Sequence, residues 1–241
     1  MQDKDWREYN IHGDDVQDAC FDLFDSSTKD KYQTLEWNFP NIMSTISLRG
    51  NAEDYTNSTG MTVWAGSEVL CDYLVTHPSL VKEKKVLELG AGMGLCGTVA
   101  HKLGASSVCL TDGDIEVLEN LRYNAEHSVS VDSNTDVTCP QLIWGHDLDT
   151  FAKTHGKHDI VIATDCAYIT KCLTPMFDTV HELLDLSNGI FLFVMVASSQ
   201  SSMEVILARA QACGLELCPK DSNEQGNDQV FVFRHQKRMR D

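Results

Sequence analysis

The stretch Val86-Leu-Glu-Leu-Gly90-Ala-Gly92-Met-Gly94-Leu-Cys-Gly97 decides the fold class: a strand runs into a glycine-rich turn, and the turn opens a helix. Glycine lets the backbone take positive φ and pass close to a ligand, while the N–H groups at a helix start are free to bind one. The spacing narrows the ligand. Glycines at 90, 92 and 94 depart from G-x-G-x-x-G, which needs its third glycine at 95, where this chain has Leu95.

Outward from the turn the chain keeps one rhythm. Strand-like segments fall at 85–89, 107–111, 141–144, 159–164 and 189–196, with helix-length segments after most of them. Runs such as Ile190-Phe-Leu-Phe-Val-Met-Val196 are apolar throughout, as parallel strands covered on both faces must be. Segments 215–218 and 229–233 are separated by a polar loop with no room for a crossover helix, so they are predicted to pair antiparallel. The fold class is therefore α/β: a doubly wound, Rossmann-like seven-stranded sheet, mostly parallel with an antiparallel C-terminal strand. It is assigned to residues 61–241.

Residues 1–60 read as an acidic extension. Val16, Cys20, Leu23 and Phe24 recur at helical spacing behind Asp14-Asp15. Leu35, Trp37 and Phe39, then Ile42, Ser44, Ile46 and Leu48, alternate on either side of Pro40-Asn41 as a hairpin, and a loop follows over 50–60. From Ser67 a helix begins, with Val69, Leu70, Tyr73 and Leu74 on one face and Pro78 ending the run.

The 241 residues are 42% hydrophobic and 23% charged, which suits a globular core and excludes disorder, collagen-like repeats and coiled coil. With 36 acidic against 19 basic side chains the net charge is −17, which opposes nucleic acid and favours basic peptides or neutral small molecules. Nine cysteines, an odd number with no C-x-x-C pair, fit reduced thiols. The N-terminus has no apolar leader and the longest apolar run, 189–197, is far short of a membrane span. The expectation is a cytoplasmic, or also nuclear, monomer with no membrane contact. The basic end, 234–240, reads as a solvated terminus, with an acidic partner or localisation signal as the alternative.

Two carboxylates sharpen the turn. Glu88 lies two positions before the glycines, and Asp112, at the tip of the next strand, lies 22 positions beyond Gly90, close to the roughly 20 expected of a ribose-hydroxyl acceptor. A charge at Glu88 would repel a diphosphate, so an adenosine with a cationic tail suits the turn better than NAD. S-adenosylmethionine is such a ligand.

With it the sequence resembles the class I methyltransferases: Glu-Leu-Gly-Ala-Gly-Met-Gly-Leu, Leu110-Thr-Asp112 and the seven-strand pattern are those of that class. Gly60-Met-Thr-Val-Trp64, Trp144-Gly-His-Asp147 and Asp165-Cys-Ala-Tyr168 are similar to the protein-lysine methyltransferases with an Asp-x-x-Tyr motif, over roughly residues 60–235. The resemblance implies transfer of a methyl group to a protein lysine. It implies that Trp64 and Trp144 flank the cofactor, that Gly90, Ala91 and Gly92 approach its methionine part, and that Asp112 holds the ribose. Thr164 would meet the cofactor through its backbone, and Asp165 and Tyr168 would line the acceptor side. Cys166-Ala167 is smaller than the aliphatic pair common in that motif.

Each residue also has a plainer reading. Trp64 and Trp144 could be packing residues. Asp112 or Asp114 could cap the helix near Ile115; the cap is assigned to Asp114 and the ribose to Asp112. Asp165 could be an N-cap with Tyr168 a wedge, and Asp147 either meets the adenine amino group or caps a short helix. His155 and His158 have no ligand cluster around them, so no metal is expected, and Cys166 reads as a packing residue. An ionised Asp165 would favour an acceptor ammonium, so its expected role is to recruit and orient the lysine. Competing functions are methyl transfer to a small molecule, arginine or histidine, a non-catalytic cofactor-binding module, and an NAD oxidoreductase.

Overall fold

The computed structural model describes residues 32–39, 42, 45–51, 59–128, 135–166, 168–196, 202–219 and 229–236. The helix expected through Val16, Cys20, Leu23 and Phe24 lies outside them. Thr34–Asp241 form one compact unit, apart from Met1–Gln33.

Within it, β1 (Gln33–Trp37) and β2 (Ile46–Gly50) make a two-stranded sheet. Ser47 donates to Glu36 and Thr45 to Asn38 across it, a pairing that runs antiparallel as the alternation predicts. The large sheet is built from β3 (Lys85–Leu89), β4 (Ser107–Thr111), β5 (Asp136–Thr138), β6 (Ile160–Thr164), β7 (Ile190–Val194), β8 (Leu215–Leu217) and β9 (Val230–His235). Its order is β5-β4-β3-β6-β7-β9-β8. Strands β3 to β7 are parallel, and β9 runs antiparallel to both β7 and β8.

Alternate residues feed two cores, which is what double winding means physically. Val86, Val108, Leu110, Ile160, Ile162, Leu192 and Val194 point into one core. It is completed by α1 (Ala65–Thr76), α2 (Leu95–Lys102) and α3 (Ile115–Ser128), with Ile46 and Leu48 of β2. Leu87, Leu89, Val161, Ala163, Phe191, Phe193 and Phe233 point into the other, closed by α4 (Leu148–His155), α5 (Thr170–Leu183) and α6 (Met203–Ala212). Each fully buried Leu or Phe contributes about 1.5–3 kcal/mol of transfer free energy.

One expected strand is displaced. The third parallel strand forms over Asp136–Thr138, paired to Ser107–Cys109, and not over 141–144. Pro140 has no N–H to give a ladder, so pairing stops there and resumes only as a single bridge between Gln141 and Asp112. Strand β3 is the switch point, because the chain leaves it towards β4 on one side and returns to β6 on the other. In open α/β sheets the crevice beyond the carboxyl ends of such strands is where ligands bind.

Candidate active site

The turn after β3 needs its glycines. Gly90, Gly92 and Gly94 have φ of 60°, 55° and 83°. A Cβ on Gly90 would lie 3.0 Å from Cys166 Cβ and 3.3 Å from Trp144 Cζ2, and one on Gly92 would lie 3.0 Å from the Gly60 carbonyl oxygen. Any side chain here would both strain the backbone and fill the crevice. Ala91 is fixed to the next strand by its N–H, which donates to Thr111 O at 2.9 Å.

At the tip of β4, Asp112 Oδ2 accepts from Gly92 N (3.1 Å) and Oδ1 from Asp114 N (3.0 Å). Burial pushes the Asp112 carboxyl above the usual carboxylate range, while these amides pull the other way. A carboxylate has about four lone-pair sites, so acceptor capacity remains for a ligand hydroxyl. Asp114 Oδ1 accepts from Glu116 N at 2.9 Å, capping α3, so the two acids divide as expected.

The facing wall comes from Thr59–Met61 and the chain up to α1. Trp64 is 36% exposed and donates from Nε1 to Thr59 O (2.9 Å), so it is not a core residue. Ser67 and Thr164 join their hydroxyls at 2.8 Å, bringing the start of α1 to the end of β6. Together these elements enclose a cavity of about 510 Å3, the size of a small-molecule site. Trp64, Gly90, Ala91, Gly92, Asp112, Trp144, Thr164, Asp165 and Tyr168 all line it.

Asp165 is held differently from the expectation. It is 5% exposed, with φ of 47°. Oδ2 accepts from Gly66 N (2.7 Å) in the first turn of α1, and Oδ1 accepts from Val196 N (2.6 Å) just past β7. An anion at a helix N-terminus is favourable. The carboxylate brackets two walls of the cavity, which it also lines. Tyr168, 36% exposed on the same wall, is open to an incoming group.

Two predicted residues stand away from the cavity. Glu88 is 3% exposed, and its Oε2 accepts from Gly97 N (2.7 Å) inside α2. Burial pushes its carboxyl up to about 8, so at neutral pH it is mostly uncharged. The repulsion of a diphosphate argued from its charge therefore falls away. Asp147, with φ of 49°, precedes α4 but makes no side-chain cap, and it faces a separate open groove with Asp178 and Glu182. The cap is therefore not made, and Asp147 does not line the cavity.

Sequence reasoning missed Ser67, Leu142, Ile143, Lys171 and Pro175, which also line the cavity. Leu142-Ile143 carried a strand signal, and the apolar wall it provides follows only once that segment is seen to leave the sheet. Lys171 has no signal beyond being one more exposed helix lysine. Cys166 is desolvated against the glycine turn, which pushes its thiol far up and makes it a packing group, as expected.

Comparison with known proteins follows this geometry. The chain is 33% identical over 164 residues to the protein-lysine N-methyltransferase EFM3 of Chaetomium thermophilum, covering 66% of this chain and 48% of that protein. It is 31% identical over 178 residues to the protein N-lysine methyltransferase METTL21A of Xenopus tropicalis, covering 74% and 78%. The chain thus spans about half the length of the first of these relatives. Among solved structures, a SAM-dependent methyltransferase from Agrobacterium tumefaciens superposes with a TM-score of 0.57 at 14% identity, over 85% of this chain and 71% of that one. Magnesium protoporphyrin IX methyltransferase from Synechocystis, with bound SAH, gives 0.52 at 14% identity, over 70% and 81%. At such identities the likeness is one of fold. A family model described as lysine methyltransferase matches residues 45–208, a span that takes in the hairpin's second strand and every wall of the cavity, and the chain belongs to that family.

Proposed function

We propose that the chain is an S-adenosylmethionine-dependent methyltransferase acting on a lysine side chain of a protein. The observation that carries the reading is the crevice at the switch point, where a glycine turn without room for a Cβ faces a strand-tip carboxylate with acceptor capacity to spare. Gly90 and Gly92 suit the close approach of an amino-acid tail, Asp112 suits ribose hydroxyls, and the apolar pair Leu142-Ile143 suits a purine. When bound, S-adenosylmethionine supplies a methyl group on a sulfonium, open to in-line displacement.

The chain's own residues then have to orient and exclude water, since displacement depends on near-attack geometry and needs no covalent intermediate. Trp64 and Tyr168 offer aromatic surface at the cavity, which attracts an ammonium on its way in. The reacting amine must be neutral. From a reference pKa near 10.4, deprotonation at pH 7 costs about 4.6 kcal/mol. Lys171 on the cavity wall adds like charge that favours the neutral amine, and the proton leaves to water. The net charge of −17 supports a basic or neutral protein surface as partner and opposes nucleic acid. A monomer acting in the cytoplasm, and also the nucleus, fits the same composition.

The test is incubation with labelled S-adenosylmethionine and a proteome extract, followed by mass spectrometry of the labelled site. A methylated protein lysine is expected. The label should be lost with Asp112→Ala, which removes a charged acceptor at a cost of about 1.5–3 kcal/mol in binding. Label on a small molecule, an arginine or a histidine would overturn the lysine assignment.

A further inference from the structure

Asn120 and Asn124, one turn apart on α3, are 1% and 2% exposed and tie the hairpin to the cavity. Asn124 Oδ1 accepts from Arg49 N (2.8 Å), and its Nδ2 donates to Arg49 O (2.9 Å) and to Met93 O (3.1 Å). Asn120 Nδ2 donates to the same Arg49 carbonyl (2.8 Å), and its Oδ1 accepts from Arg49 Nε (2.7 Å). A carboxamide carries both a donor and an acceptor, so Asn124 meets the two backbone groups of Arg49 as a neighbouring strand would.

Both ends of this junction reach the cavity. Met93 belongs to the glycine turn and lines the crevice. Two residues beyond Arg49, Asn51 N donates to Met61 O (2.7 Å) and Thr62 Oγ1 donates to Asn51 O (2.6 Å). Gly60, Thr62 and Trp64 make the facing wall. The gap between the walls has no slack, since a Cβ on Gly92 would already lie 3.0 Å from Gly60 O.

We propose that Asn124 is a positioning residue for the methyl-donor site, holding the glycine turn and the Gly60–Trp64 wall at the separation that grips the donor. This rests on the reading that the cavity binds S-adenosylmethionine. Asn124→Asp keeps the shape and the acceptor for Arg49 N, but it replaces a donor facing two carbonyl oxygens with a third oxygen. Ile206→Ala serves as the control. Ile206 is 1% exposed in the opposite core, does not line the cavity, and its truncation lowers stability by creating a void.

The experiment measures S-adenosylhomocysteine affinity by calorimetry and the melting temperature for the full chain and both variants. Asn124→Asp should weaken binding about tenfold, the loss expected from a buried hydrogen-bond donor removed between the walls, while Ile206→Ala leaves affinity unchanged at a similar or larger loss of melting temperature. Wild-type affinity in Asn124→Asp, or equal weakening in Ile206→Ala, overturns the positioning role. A wild-type chain that does not bind the ligand overturns the cofactor reading itself, and the two failures are read from different proteins. If Asn124→Asp does not fold, Asn120→Ala loosens the same Arg49 carbonyl without changing a residue that lines the cavity. A severalfold weaker affinity there supports the proposal, and an unchanged one overturns it.

Discussion

Asp112 and Asp114 stand two positions apart at one strand tip, and local rules separate them. An aspartate just before a helix caps it, and the one before that faces the crevice. Asp165 obeys no such rule, because its carboxylate is held by amides 99 and 31 positions away in sequence. Its presence at the site was legible from the motif, and these two anchors were not. The difference is testable. The Gly66 and Val196 amides are both N–H donors, so Asp165→Asn can satisfy one and must set its own NH2 against the other. The expected loss is about 2–4 kcal/mol of stability, with cofactor affinity falling alongside turnover. Turnover collapsing at unchanged affinity and melting temperature would assign Asp165 the recruiting role instead.

At the scale of elements, strands β3 and β4 coincide with their predicted bounds because each is a short apolar-rich segment next to a turn signal, Gly90 after one and Asp112-Gly113 after the other. The edge strand β5 was misplaced because only three residues pair, and its sequence, Asp136-Val-Thr138, has one apolar member. The junction through Asn120 and Asn124 is invisible for a similar reason. Polar residues four apart on an amphipathic helix look like its solvated face, and only a strand lying against them changes that. The β3–α2 joint makes a prediction of its own. Glu88, which accepts from Gly97 N, has its carboxyl raised from 4.5 to about 8 by burial. A folded-state value above the unfolded one means the folded chain holds the extra proton, so stability is fully present below about 4.5 and is lost as pH rises through about 8. Glu88→Gln keeps an acceptor for Gly97 and removes the titration. Urea unfolding of both proteins at pH 6.5 and pH 9 should show the wild type losing about 2 kcal/mol more than the variant across that interval. The two share His158, pushed down to about 4 by burial, so the difference isolates Glu88. Parallel pH dependences would mean that the buried carboxyl titrates near its ordinary value.

At the scale of the whole molecule, charge decides which partners approach before any contact forms. Residues 1–36 carry ten acidic and four basic side chains within a total of −17, so long-range attraction should favour basic protein surfaces. Such attraction raises encounter rates, and salt screens it once the Debye length falls to about 10 Å near 0.1 M. For a basic protein acceptor, kcat/KM should therefore fall as sodium chloride is raised through that range. Cofactor affinity, set inside a cavity whose buried Asp112 is itself held by two amides, should change much less. Deletion of residues 1–33 stops at the boundary of the compact unit Thr34–Asp241. The truncated chain should bind S-adenosylhomocysteine like the full one, show a raised KM for the protein acceptor, and respond more shallowly to salt. An unchanged KM and salt slope would assign the attraction to the body of the molecule, whose own acidic excess is the larger share of the total, and would leave the first 33 residues without a part in recognition.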